Sequence, residues 1–179
     1  MPGPCRGRRN KITTFRPDSY CGLYCGACDI LNLHRVSLET GIPARWEDLP
    51  ERFREHLQKA EVVCQGCKSE VLFEGCKRCA VRICASGKGV EACIECPEYP
   101  CPEVERRKGY VSSGLKDLLP HTKVIFRNMD VVKEKGIEYW IQDQEKRWAC
   151  PQCGTSFTWY QETCKKCGRE LETVKDYNK

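Results

Sequence analysis

Six pairs of cysteines recur at C-x2-C spacing: 25/28, 64/67, 76/79, 93/96, 150/153 and 164/167. One such pair suits a redox-active dithiol. Six of them are the pattern of metal knuckles, in which two thiolates flank a tight turn and bind one ion. The chain has 179 residues and 16 cysteines, and only 40% of its residues are hydrophobic with those cysteines included. So thin an apolar inventory needs support from disulfides, metals or a partner. The start "MPGPCRGRRNK" is basic and no apolar run follows it, so no secretory signal is read and a disulfide scaffold is disfavoured. No run of 18 apolar residues exists, so no transmembrane helix is expected. The expected compartment is a reducing cytoplasm.

The formal net charge of +5 counts every cysteine as a neutral thiol. A zinc ion held by four thiolates leaves two negative charges at its site, so three such sites bring the chain to about −1. The basic character that survives is local: Arg6, Arg8, Arg9, Lys11 and Arg16 lie in residues 1–16 with no acid among them. Residues 1–19 therefore read as a basic disordered tail. Residues 20–102 hold eleven cysteines and read as a metal-binding domain. Residues 103–148 lack cysteine and read as a helical hairpin, 149–170 as a zinc ribbon, and 171–179 as a polar tail. The expected fold class is a small metal-stabilised protein, mostly α, with irregular cysteine-rich loops and a short β-hairpin in the ribbon.

Helical periodicity places Ala27, Leu31, His34 and Leu38 on one face, with Gly41 closing the helix. A second helix is expected over 46–60, with Trp46, Leu49, Phe53, Leu57 and Ala60 on one face. Asp48 and Glu51 suit a capping-box start and Pro50 the first turn. His56 is expected beside the core. In the hairpin, Ile125, Met129 and Val132 form one stripe, and Ile137, Trp140, Ile141, Gln144 and Trp148 the other. Gly136 marks the turn, and Lys133 and Lys135 suit the C-terminus of the first helix.

The C-terminal knuckles "CPQCG" and "CKKCG" give Cys150, Cys153, Cys164 and Cys167 as one four-thiolate site, with "TSFTWYQET" as the hairpin between them. Four thiolates suit tetrahedral zinc, and the same ligands also hold a single iron in rubredoxin-type sites. Upstream, Cys64, Cys67, Cys76 and Cys79 read as one site, and Cys84, Cys93, Cys96 and Cys101 as another. Local pairing closes the shorter loops, with a cross-braced pairing as the alternative. Cys21, Cys25 and Cys28 in "CGLYCGAC" are expected to share one centre, functional rather than structural. Counting leaves this triplet without a fourth ligand unless Cys5, His34 or Cys101 supplies one. It suits either zinc or a four-iron four-sulfur cluster. Its C-x3-C-x2-C spacing also occurs in radical S-adenosylmethionine enzymes, but the alternating strands and helices of those barrels are missing here.

The segments "CGLYCGACDI" and "CKRCAVRICASGKGVEACIECPEYPC" resemble a cysteine-rich family of anaerobic bacteria and archaea known as domain of unknown function 3795. The later "VIFRNMDVVKEKGIEYWIQDQEKRWACPQCG" resembles the extension of its longer members. The resemblance covers roughly residues 20–170 and implies a small cytoplasmic metalloprotein, with no reaction attached. Cys5 falls outside it.

Three functional classes follow. The first is a multi-site metal protein serving electron transfer, cluster handling or assembly with a protein partner. The second is a nucleic-acid adaptor using the basic tail with Trp159, Tyr160, Lys165, Lys166 and Arg169. The third is an enzyme with an open metal position. With only His34, His56 and His121, histidine acid–base chemistry has few candidates.

Overall fold

Helix α1 spans Asp29–Thr40 and starts directly from the extended backbone of Cys28. Asp29 in its first turn suits the positive end of the helix dipole, and Gly41 closes it in the left-handed conformation, as its sequence pattern predicts. The computed structural model describes residues 15–110 and 119–172. Among the described residues, six more α-helices follow: α2 (Glu51–His56), α3 (Glu74–Lys77), α4 (Ala80–Lys88), α5 (Pro102–Tyr110), α6 (Ile125–Lys135) and α7 (Ile137–Arg147). The fold is mostly helical, and among the described residues β-structure is limited to two isolated antiparallel bridges, Ala149 with Ser156 and Thr163 with Glu170. None of the helices described is long and apolar enough to cross a membrane.

The α6–α7 hairpin forms as its stripes predict. Ile125, Met129 and Val132 are buried on α6, and Trp140 and Gln144 on α7, with Gly136 at the turn. Trp140 is 1% exposed and meets the Tyr24 ring edge-on at 6.0 Å. The hairpin thus packs on the loop that carries the first cysteines. Asn128 Nδ2 donates to the Gly22 carbonyl at 2.7 Å, in a buried contact. Gly22 has φ 87°, and a Cβ there would stand 2.5 Å from the Ile125 carbonyl oxygen. Only glycine permits this approach of α6 to the loop.

Four expectations need correction. The helix expected over 46–60 is broken. A 3-10 turn covers Trp46–Asp48, Leu49 is extended, and the α-helix is confined to Glu51–His56. The residue before a proline is pushed out of the helical region, so Pro50 separates the two turns. Trp46, Leu49 and Phe53 are still buried. His56 lies on the surface near Glu55, and Leu38 is 52% exposed, so neither joins the core. Residues 15–19, assigned to the tail by charge, are folded: Arg16 N–H donates to the Gln65 carbonyl at 2.8 Å, and Asp18 and Ser19 are buried. Leu171, assigned to the polar tail, is buried and donates its N–H to Glu162 at 2.9 Å. Residues 1–14 of the basic tail, and Cys5 with them, lie outside the described residues, as do 173–179.

The expected hairpin between the C-terminal knuckles is replaced by those bridges. Trp159 turns inward and donates its N–H to the Ala27 carbonyl at 2.9 Å, so the segment pairs with the helical domain. Trp159 stacks on His121 at 4.2 Å and 7° between planes, and Tyr160 Oη lies 2.7 Å from His121 Nδ1. Burial, aided by the Arg107 charge, lowers the His121 pKa to about 3. The folded imidazole is neutral, whereas the unfolded one takes a proton near its ordinary value. Its contribution to stability is therefore complete above about pH 6.5 and is lost on acidification, by up to about 1.4 kcal/mol per pH unit. Urea unfolding at pH 7 and pH 5 should show His121→Phe losing less stability between the two than the parent chain.

Candidate metal centre

Each C-terminal knuckle is a turn closed by its own backbone. Gly154 N–H donates to the Cys150 carbonyl at 2.8 Å, and Gly168 N–H to the Cys164 carbonyl at 2.9 Å. Cys150 and Cys164 are the buried members, and Cys153 and Cys167 are half-buried. The turns bring Cys150 Sγ to 3.6 Å from Cys167 Sγ, and Cys153 Sγ to 3.6 Å from Cys164 Sγ. All four sulfurs lie within 4.8 Å of one another. Tetrahedral bonds of 2.3 Å set sulfurs about 3.8 Å apart, so this group could hold one metal ion. Burial raises the Cys150 pKa, but the N–H groups of Gln152 and Cys153 outweigh it and bring the thiol below its ordinary value. The Thr155 hydroxyl, 3.4 Å away, and the Thr155 N–H lower Cys153 to about 6. Such N–H and O–H groups aimed at sulfur favour the thiolate form that binds metal.

The upstream cysteines gather differently. The knuckle at 64–67 is anchored to α1, where buried His34 Nδ1 accepts the Cys64 N–H at 3.1 Å and stands 2.9 Å from the Cys64 carbonyl. His34, a possible fourth ligand by sequence, is held here by backbone. The knuckle is tied on its other side by Lys68, which is buried between Asp18 and Glu91. Gly66 has φ 111° and packs against the Arg16 carbonyl, which a Cβ would overlap. These ties set Cys64 and Cys67 against the triplet. Burial, then the charges of Cys67 and Cys28, raises Cys25 well above the ordinary thiol value. Burial followed by Cys64 does the same to Cys28. Burial, then Cys64 and Cys79, raises Cys76 to about 12. Cys21 is raised by burial, with Cys79 as its thiol neighbour and Ser19 Oγ at 3.5 Å.

Cys21, Cys25, Cys28, Cys64, Cys67, Cys76 and Cys79 influence one another electrostatically, but among the described residues the group whose ligand atoms all lie within 4.8 Å of one another is the C-terminal four. Cys84, Cys93, Cys96 and Cys101 line a small cavity of about 20 Å³ between α4 and α5. Burial, then the charge of Cys21, raises Cys93 to about 12. Cys93 N–H donates to the Tyr20 carbonyl at 2.8 Å, which sets this group beside the triplet loop.

The ribbon residues named for nucleic acid divide. Lys165, Lys166 and Arg169 are exposed, but Trp159 is 3% exposed and Tyr160 is half-buried against His121. The two aromatic rings that would stack on bases face inward. Sequence reasoning missed the contacts that orient the site. Asn32 Nδ2 caps the Gly26 and Cys28 carbonyls at 2.9 Å each. Thr158 Oγ1 donates to Asp29 Oδ1 at 2.5 Å, and burial raises Asp29 to about 7 despite this bond. The one available signal was the position of Asp29 and Asn32 directly after Cys28.

These features define a small, mostly helical, cysteine-rich protein with a four-thiol group able to hold a metal. A family model described as protein of unknown function (DUF3795) matches residues 18–106, and over those residues the chain carries that family's domain. The C-terminal four-cysteine group lies beyond the match. No curated protein and no solved structure matches the chain.

The two groups of thiols should react differently. In metal-free chain at pH 7, iodoacetamide is expected to label Cys153 ahead of Cys25 and Cys28, because thiolate is the reactive form. Peptide mass spectrometry gives the order, and Thr155→Val should slow labelling at Cys153.

Proposed function

We propose that the chain is a multi-site metal-binding protein. In this reading Cys150, Cys153, Cys164 and Cys167 hold zinc as a structural ion. The upstream cysteines hold the functional metal, which serves metal-cluster handling or assembly with a protein partner. The observation that carries the reading is the convergence of the four C-terminal sulfurs within 4.8 Å. Sulfur-only ligation favours zinc, iron–sulfur clusters or copper(I) over hard cations, and tetrahedral spacing favours zinc. Thiolate sites of this kind persist in a reducing compartment such as the cytoplasm.

Metal here is also folding energy. A structural zinc site contributes on the order of 10 kcal/mol. The remaining order of residues 149–172 comes from short backbone turns, two isolated bridges and links such as Phe157 N–H to Trp148 and Trp159 N–H to Ala27. The iron–sulfur reading of Cys21, Cys25 and Cys28 competes at the upstream thiols.

Anaerobic purification followed by metal analysis, acid-labile sulfide assay and a visible spectrum tests both. Zinc without labile sulfide is the expected result, and a brown protein with labile sulfide would replace the upstream assignment by a cluster. Cys164→Ser should lose one zinc equivalent and leave the upstream metal in place. Retention of every equivalent would remove the C-terminal assignment.

A further inference from the structure

Two cavities in this molecule differ in what they can hold. The space between α4 and α5 measures about 20 Å³, which is room for a single water. The cleft between α1, α7 and the first C-terminal knuckle measures about 370 Å³. Small-molecule sites measure about 300–1,000 Å³ and set a few polar groups among apolar and aromatic walls. Three aromatic rings line this cleft: Phe15, Tyr24 and Trp148. Each is fixed by a second ring. Phe15 meets His34 at 6.0 Å and 63°, Tyr24 meets Trp140 at 6.0 Å and 87°, and Trp148 meets Phe157 at 5.4 Å and 63°. Trp148 also donates its indole N–H to Gln144 Oε1 at 3.2 Å. Walls held in this way lose little freedom when a ligand enters.

Two opposite charges share the cleft with these rings, Arg35 from α1 and Glu145 from α7. Among the described residues they form no ion pair with each other. Arg35 Nη2 instead donates to Asn32 Oδ1 at 2.8 Å, and Arg35 Nε is buried 3.9 Å from the exposed Glu39 carboxylate, a pair that solvent screens. These contacts hold the guanidinium on the wall and leave donors on both of its Nη nitrogens. Burial, followed by the Glu145 charge, pushes the Tyr24 phenol up to about 12, so it stays protonated and able to donate at neutral pH. A ligand bearing only a carboxylate is attracted by Arg35 and repelled by Glu145, and one bearing only an ammonium group meets the reverse. A ligand bearing both satisfies both, and its cation gains further from the neighbouring rings.

We infer that this cleft is a binding site for a small zwitterion with an apolar ring, the chemistry of a free aromatic α-amino acid. Arg35 takes the carboxylate, Glu145 the ammonium group, and Phe15, Tyr24 and Trp148 the ring. The site does not rest on the metal-binding reading. Its remaining wall is nevertheless part of the C-terminal group: Ala149, Gly154 and Ser156 line the cleft, and Gly154 N–H closes the knuckle turn on the Cys150 carbonyl. A ligand in the cleft therefore lies against the turn that carries Cys150 and Cys153.

The test is calorimetric titration of the full chain as isolated, which keeps the knuckle wall in place. The probes are L-phenylalanine, 3-phenylpropionate, which lacks the ammonium group, and 2-phenylethylamine, which lacks the carboxylate. One L-phenylalanine is expected to bind per chain, at least about tenfold more tightly than either analogue, because each analogue leaves one charged hydrogen-bonding group unanswered. Arg35→Gln and Glu145→Gln should each weaken L-phenylalanine by a similar factor. Arg35 is 41% exposed in its side chain and Glu145 is exposed, so both variants are expected to fold, with circular dichroism as the check. No binding of L-phenylalanine, equal binding of all three probes, or binding that neither substitution weakens would overturn the site. None of these outcomes bears on the metal content of the chain.

Discussion

A buried thiol is easily kept as a thiol and costly to ionise. Many of them packed together repel one another once ionised, unless a cation replaces their protons. The upstream half of this molecule is arranged around that constraint. Cys25 and Cys28 are raised by burial and then by their thiol neighbours. Lys68 is paired with Asp18 and Glu91, while Arg82 donates to the Cys67 carbonyl and its charge partly offsets the rise at Cys76. The C-terminal group meets the same constraint differently, with N–H and O–H groups that already favour thiolate at Cys150 and Cys153.

Much of the framework was legible because it depends on local chemistry. The α6–α7 hairpin follows from 3.6-residue periodicity with Gly136 between the stripes, and α1 from its stripe and Gly41. The C-terminal four-thiol group follows from two knuckles whose turns dictate where their sulfurs point. The failures have equally local causes. Periodicity carried the helix through Leu49–Pro50, where backbone sterics forbid it. Alternation suggested a β-hairpin where the Trp159 N–H instead found the Ala27 carbonyl.

What was illegible is the long-range pairing. Nothing at positions 34, 64 and 67 announces that a histidine on α1 will clamp a knuckle thirty residues later. Nor does Gly22 announce that α6 will pack on it through Asn128. The entropy of loop closure grows slowly with length, so such long-range contacts cost little more to close than local ones. Charge gave a further false lead, since Arg16 and Asp18 look like tail residues until their partners Gln65 and Lys68 are placed beside them.

The bond from Thr158 to Asp29 spans 129 residues of chain and joins the C-terminal group to the residue directly after Cys28. Asp29 Oδ2 is buried without a hydrogen-bond partner, so the contact is sensitive to small movements on either side. Thermodynamic linkage then acts in both directions. Whatever factor metal occupancy at the C-terminal thiols imposes on affinity at Cys28, occupancy at Cys28 imposes in return. A metal bound at either place would therefore be felt at the other through this carboxylate contact.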